Sequence, residues 1–227
     1  MAVTLAIIGA GPLGRWLALS AARAGFRVYL EDVMPANLHH AQEALRAVLV
    51  SEGGVETEGG GGFNPRIESI KTSRALAPAE CFSVSSNISF VSTIEEAVRN
   101  ADLVIDCVPD ELESKLEILW LLDRMAPPRA VLATPTTRLS ITDLANCTYR
   151  PAKCIAIAAE ANTLTGKSEV ANLAAGSAYS KAGTTPEILL RTTTKTAPET
   201  VLLLDHFWRQ LGFTPVFAPD PAEKPSN

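Results

Sequence analysis

The chain begins with Thr4-Leu5-Ala6-Ile7-Ile8-Gly9-Ala10-Gly11-Pro12-Leu13-Gly14, an apolar β-branched run that empties into a glycine turn. Such a run has the composition of a strand buried on both faces. Leu13 to Ala24 follows with helical spacing and stops at Gly25, and Arg27-Val28-Tyr29-Leu30 then leads to Glu31-Asp32, which completes a βαβ unit. In this arrangement Gly9 permits the tight turn, Gly11 lets a diphosphate approach the backbone without meeting a Cβ, and Gly14 lets the helix pack close to the strand. The unpaired amides and positive dipole end of the helix favour an anion there. Asp32 occupies the place from which a carboxylate accepts from the ribose hydroxyls of an adenosine. With no Arg after Asp32 to balance a 2′-phosphate, NAD is expected over NADP.

Working outward, the rest of the chain repeats the theme. A helix is expected over 35–50, then a glycine-rich loop at 51–66 and a poorly patterned stretch to Ser86. From Asn87, strands at Ile88–Val91, Leu103–Val108, Ala130–Thr134 and Cys154–Ala159 alternate with helices at Thr93–Val98, Leu112–Met125 and one beginning near Ser140. Residues 161–187 read as an insertion, 188–193 as a late strand, Pro198–Leu211 as a helix stopped by Gly212, and Thr214–Phe217 as an edge strand. The expected fold is α/β, a doubly wound Rossmann-type, mostly parallel sheet in a single domain over 1–218, with a flexible tail at 219–227.

Bulk properties narrow the function. At 227 residues, 47% hydrophobic, with net charge −5 and mean hydropathy +0.14, the chain suits one globular domain and not a nucleic-acid partner. No apolar run is long enough for a membrane span, and the first strand lacks the basic flank of a signal peptide. Cys81, Cys107, Cys147 and Cys154 have no CxxC spacing, so reduced thiols and a cytoplasmic location are expected, with no metal. His206, beside Phe207 and Trp208, reads as a packing or surface histidine.

These motifs together resemble the NAD-binding domain of the L-3-hydroxyacyl-CoA dehydrogenase family. The resemblance rests on Gly9-Ala10-Gly11-Pro12-Leu13-Gly14 with Asp32, on Ala101-Asp102-Leu103-Val104-Ile105-Asp106 running to Asp110, Leu112 and Lys115, and on Thr134-Pro135-Thr136-Thr137-Arg138-Leu139. It implies that Gly9, Gly11, Pro12, Leu13, Gly14, Asp32, Val108, Asp110 and Lys115 contact the cofactor, with Asp110 and Lys115 near its nicotinamide end. Thr137 would replace the family's active-site serine and keep a hydroxyl, whereas Pro135 removes an asparagine side chain.

By the same resemblance Ala158 takes the place of the catalytic histidine, and Arg191 that of the glutamate that orients it. The acid/base dyad is therefore expected to be lost. The family's helical domain would begin near Pro221. The expectation is a divergent NAD(H)-dependent oxidoreductase acting on a small or specialised carbonyl, hydroxy or imine substrate, its proton coming from Thr137, Lys115, Glu160 or water. Alternatives are a non-redox isomerase, cyclase or lyase on the same scaffold, or a dinucleotide-binding pseudoenzyme. A homodimer, or 161–187 folded back, is expected to cover the face the helical domain would occupy.

Overall fold

The computed structural model describes residues 3–52, 78–159 and 185–222. Eight strands form one sheet in the order β3-β2-β1-β4-β5-β6-β7-β8. They are β1 Thr4–Ile8, β2 Arg27–Glu31, β3 Ile88–Val91, β4 Leu103–Asp106, β5 Val131–Pro135, β6 Cys154–Ile157, β7 Glu187–Thr192 and β8 Thr214–Pro219. The first six are mutually parallel; β7 runs antiparallel to β6, and β8 is parallel to β7. Helices α1 Pro12–Arg23, α2 Pro35–Glu52, α3 Pro78–Ser86, α4 Ile94–Val98, α5 Leu112–Met125, α6 Ile141–Asn146 and α7 Pro198–Gln210 cover the faces. This is the doubly wound, mostly parallel architecture that the alternation of strands and helices implied.

The central strands are buried on both faces because helices lie on either side, and their alternate residues feed two cores. Leu5, Ile7, Val28, Leu30, Leu103, Ile105, Ile155 and Ile157 point to one side, where α1, α2 and α7 lie. Ala6, Ile8, Val104, Leu132, Cys154 and Ala156 point to the other, against α4, α5 and α6. An aromatic chain, Phe26–Phe207–Trp208–Phe213–Trp16, with ring centroids 5.3–5.9 Å apart, fastens α7 beside α1. His206 is exposed and meets only the edge of this cluster, 6.4 Å from Phe26.

Local signals account for most of the boundaries. Thr93 caps α4 by accepting from the Glu96 amide, and Ser140 caps α6 by accepting from the Asp143 amide. Gly25 and Gly212 stop their helices with φ of +87° and +85°. Arg150 closes the other end of α5, donating to the carbonyls of Asp123, Ala126 and Pro127 and pairing with the Asp123 carboxylate at 2.7 Å.

Several expectations shift. Part of the stretch read as unpatterned before Ser86 is helix α3, and α2 continues through Ser51 and Glu52, into the expected glycine-rich loop. The rest of that loop, and residues 161–184 of the expected insertion, lie outside the described residues, while Glu187 already belongs to β7. The tail expected to fray from 219 is held at its start. The strand extends to Pro219, and Asp220 is buried, accepting from Ser140 Oγ at 2.7 Å, the Thr142 amide at 2.8 Å and the Ala222 amide at 3.2 Å. A carboxylate satisfying three donors from two segments outweighs the polar, proline-rich composition that suggested mobility.

Candidate functional site: a dinucleotide loop and a polar row along one sheet edge

The site is built at the carboxyl ends of the parallel strands, on either side of the point where β1 and β4 diverge. Its first half is backbone. Gly9 has φ +107°, a conformation that L side chains rarely adopt. A Cβ on Gly14 would lie 1.9 Å from the Gly9 carbonyl oxygen, so only glycine permits α1 to approach the turn so closely. Around Gly11 the situation is the reverse: nothing lies within 4 Å of where its Cβ would be. The loop therefore presents open space and the uncapped first turn of α1, whose N-cap, Gly11, offers no side chain. That is a cradle for a diphosphate. Pro12 occupies the first helical turn, and Leu13 is buried beneath it.

Two side chains pin this loop through one residue. The Ala10 amide donates to Asp32 Oδ2 at 2.9 Å, and the Ala10 carbonyl accepts from Arg15 Nη1 at 3.3 Å. Arg15 also donates to His40 Nδ1 at 3.0 Å. Asp32 Oδ1 accepts from the Met34 amide at 2.9 Å and from Asn37 Nδ2 at 3.1 Å. Asp32 is thus first a fastener between loop and strand end. Oδ2, with a single internal bond, retains acceptor capacity for a ribose hydroxyl. Arg15 was not singled out in the sequence, because nothing local shows that a helix residue after the third glycine folds back onto the loop.

The second half is a row of side chains. Strand register places Glu31, Ile8, Asp106, Thr134, Ala156 and Arg191 side by side across the sheet, all on the α4–α6 face. Glu31 is buried, and burial followed by its neighbour Asp32 pushes its carboxyl up to about 7. Asp106 and Lys115 are both fully buried and form an ion pair of 2.5 Å. Burial pushes the Asp106 carboxyl up, and the Lys115 ammonium opposes that shift. Lys115, expected at the nicotinamide end, reaches the row from α5 but exposes nothing to the cleft. Cys107 and Val108 follow, both half-buried; burial holds the Cys107 thiol far above its ordinary range, which makes it a poor nucleophile.

A strap from β5 to α6 closes over this edge. Asp110 Oδ2 accepts from the Thr137 amide at 3.3 Å, Thr136 Oγ1 accepts from the Leu139 amide at 3.0 Å, and Arg138 Nη2 donates to the Asp110 carbonyl at 3.0 Å. From the far side of β6, Arg191 Nη1 donates to the Thr137 carbonyl at 3.3 Å. Ala158 continues the ladder at the end of β6, its amide donating to the Leu189 carbonyl at 2.8 Å. The structure thus gathers Asp110, Thr137, Ala158 and Arg191, residues far apart in sequence, into one neighbourhood. Glu160 lies outside the described residues.

Comparison with known proteins agrees with this geometry. The family described as "3-hydroxyacyl-CoA dehydrogenase, NAD binding domain" matches residues 4–158, and the chain belongs to it. A probable 3-hydroxybutyryl-CoA dehydrogenase of Bacillus subtilis is 34% identical over 151 residues, covering 66% of this chain and 45% of that protein. An L-carnitine dehydrogenase of Pseudomonas putida is 28% identical over 153 residues, covering 67% and 40%. The crystal structure of (S)-3-hydroxybutyryl-CoA dehydrogenase from Ralstonia eutropha superposes with a TM-score of 0.70 at 19% identity, covering 97% of this chain and 64% of that one, a likeness of fold. The chain spans less than half the length of these two curated relatives. NAD(H) is the cofactor of such a domain, and the open Gly11 cradle, the close Gly14 packing and the Asp32 carboxylate fit it.

Proposed function

We propose that this chain is an NAD(H)-dependent oxidoreductase acting on a small carbonyl, hydroxy or imine substrate without a histidine–glutamate dyad. The observation that carries the reading is the dinucleotide cradle, with Gly14 locked on the Gly9 carbonyl and open space at Gly11. Bound NAD(H) supplies the hydride chemistry. The chain's own contribution is to hold the cofactor through Gly9, Gly11, Pro12, Leu13, Gly14 and Asp32, with Val108 and Asp110 extending the surface toward the nicotinamide end.

Of the expected proton sources, Thr137 supports the proposal best. Its backbone is held from two sides, by Asp110 and by Arg191, which fixes where its hydroxyl can swing. Lys115 serves from beneath, keeping Asp106 paired so that no uncompensated charge lies buried at the centre of the row. Glu160 stays in the proposal as the next residue beyond Ala159. Alanine at 158 and arginine at 191 leave no imidazole–carboxylate pair at that end of β6. The same reading includes a cytoplasmic protein and a homodimer formed over the β7–β8 face, where Leu189 and Val216 are exposed; among the described residues no helix is long and apolar enough to cross a membrane.

The test is a calorimetric titration with NAD(H) and NADP(H), followed by a screen of small hydroxy acids, keto acids and imines read at the reduced-nicotinamide absorbance band. NAD(H) binding tighter than NADP(H), with turnover of one substrate class, supports the reading. Tight binding with turnover that leaves the band unchanged points to the non-redox alternative, and binding without any turnover points to a pseudoenzyme.

A further inference from the structure

The cations at the substrate end are not equally engaged. Lys115 is paired with Asp106, and Arg138 Nε lies 3.9 Å from Asp110 Oδ2 while its Nη2 holds the Asp110 carbonyl. Arg191, half-buried on β7, makes one hydrogen bond, to the Thr137 carbonyl, and no carboxylate pairs with it among the described residues. Among the described residues Glu111 and Glu187 are exposed and form no ion pair with it. A half-buried guanidinium with most of its planar donor fork unspent favours an anion, and the fork matches a carboxylate bidentately.

Arg191 faces Ala156 across the β6–β7 ladder, and Ala158 stands two residues further along β6, so the β6 side chains beside the arginine are methyl groups that offer its free donors no partner. The arginine is anchored to the carbonyl of the residue whose hydroxyl carries the proposed proton transfer. An anion held by Arg191 is therefore placed at a fixed offset from Thr137.

We infer that Arg191, assisted at the rim by Arg138, is the carboxylate-binding group of this site, and that the substrate carries a carboxylate next to the carbonyl, hydroxyl or imine that reacts. The inference rests on the oxidoreductase reading and names its substrate class. It turns on charge at one position: a guanidinium with no carboxylate partner among the described residues, beside two alanines of β6.

The test uses the full chain saturated with NADH, with malonate as the probe and malonamide, inorganic phosphate and acetate for comparison, each titrated by calorimetry. Malonate is expected to bind at least about tenfold tighter than malonamide. Arg191→Gln should weaken malonate at least about tenfold while shifting the NADH Kd less than about twofold, Arg191→Lys should recover part of the loss, and Arg138→Gln should cost less than Arg191→Gln. Melting curves check that each variant folds. If NADH binds but malonate does not, or Arg191→Gln leaves malonate unchanged, or phosphate is preferred to malonate, the carboxylate inference is overturned and the oxidoreductase reading stands. If NADH itself fails to bind, both fall.

Discussion

The β1–α1–β2 unit and the β5–β6–β7 region serve the same site by opposite means. In the first, the functional atoms are mostly backbone, and their arrangement is set within a short stretch by three glycines, a proline and one aspartate. In the second, the functional atoms are side chains delivered from β4, β5, β6 and β7, and each is useful only because the sheet brings it beside the others. A backbone-built site can change its ligand little without losing the fold, since the conformation that binds is the conformation that packs. A side-chain-built site can exchange one residue for another on an unchanged frame. Such a division would let cofactor and chemistry diverge separately in one molecule.

The sharpest way to break the comparison is at Gly14 and Gly11. Gly14→Ala puts a Cβ where the Gly9 carbonyl already is, so α1 must move; destabilisation of about 3 kcal/mol and loss of NAD binding beyond about 100-fold are expected by thermal melt and calorimetry. Gly11→Ala meets nothing in the protein, so it should melt within a few degrees of the parent yet bind NAD at least about tenfold more weakly. Equal losses of stability in the two variants would show that the loop is not built as described.

Comparable in stability, but without a direct effect on the nucleotide loop, is the pair at the centre of the row. Lys115→Met leaves the Asp106 carboxylate buried and alone, with an expected cost of about 3–5 kcal/mol by denaturant unfolding. The double change Asp106→Leu with Lys115→Met should regain most of it. If the double variant is as unstable as the single one, the pair has a structural role beyond mutual neutralisation.

The smaller effects have opposite pH signs. Asp220 accepts from Ser140, Thr142 and Ala222, and these bonds outweigh its burial and hold its carboxyl below the ordinary value of 3.8. It therefore adds stability above that value that is lost as pH falls through the lowered one, and Asp220→Ala should cost about 2 kcal/mol at neutral pH and less under acid. Glu31 behaves the other way. Burial lifts it from 4.5 to about 7, so the folded chain holds a proton that the unfolded chain has released, and stability falls as pH rises between those values. Glu31→Gln should flatten that slope in melts taken across the window; an unchanged slope would place its origin elsewhere.

Legibility in the sequence followed the same division. The cradle could be read because its determinants are contiguous: a run of Ile and Ala, glycines at fixed offsets, and an acid one strand later. Most helix and strand boundaries could be read from caps and stops such as Thr93, Ser140, Gly25 and Gly212. What could not be read was long-range. No local pattern announces that Arg15 returns to the Ala10 carbonyl, that Lys115 disappears into the core on Asp106, or that Asp220 reaches back to α6. The antiparallel turn of β7, which puts Arg191 across from Ala156, leaves no trace in hydropathy, because alternation reads the same in either direction.

The Asp220 tie has a practical consequence. Since its carboxylate grips Ser140 and Thr142, the backbone at Ala222 emerges at the start of α6. An environment-sensitive dye attached at Ala222 would report on that tie, its emission changing as acid protonates Asp220 and releases the start of α6.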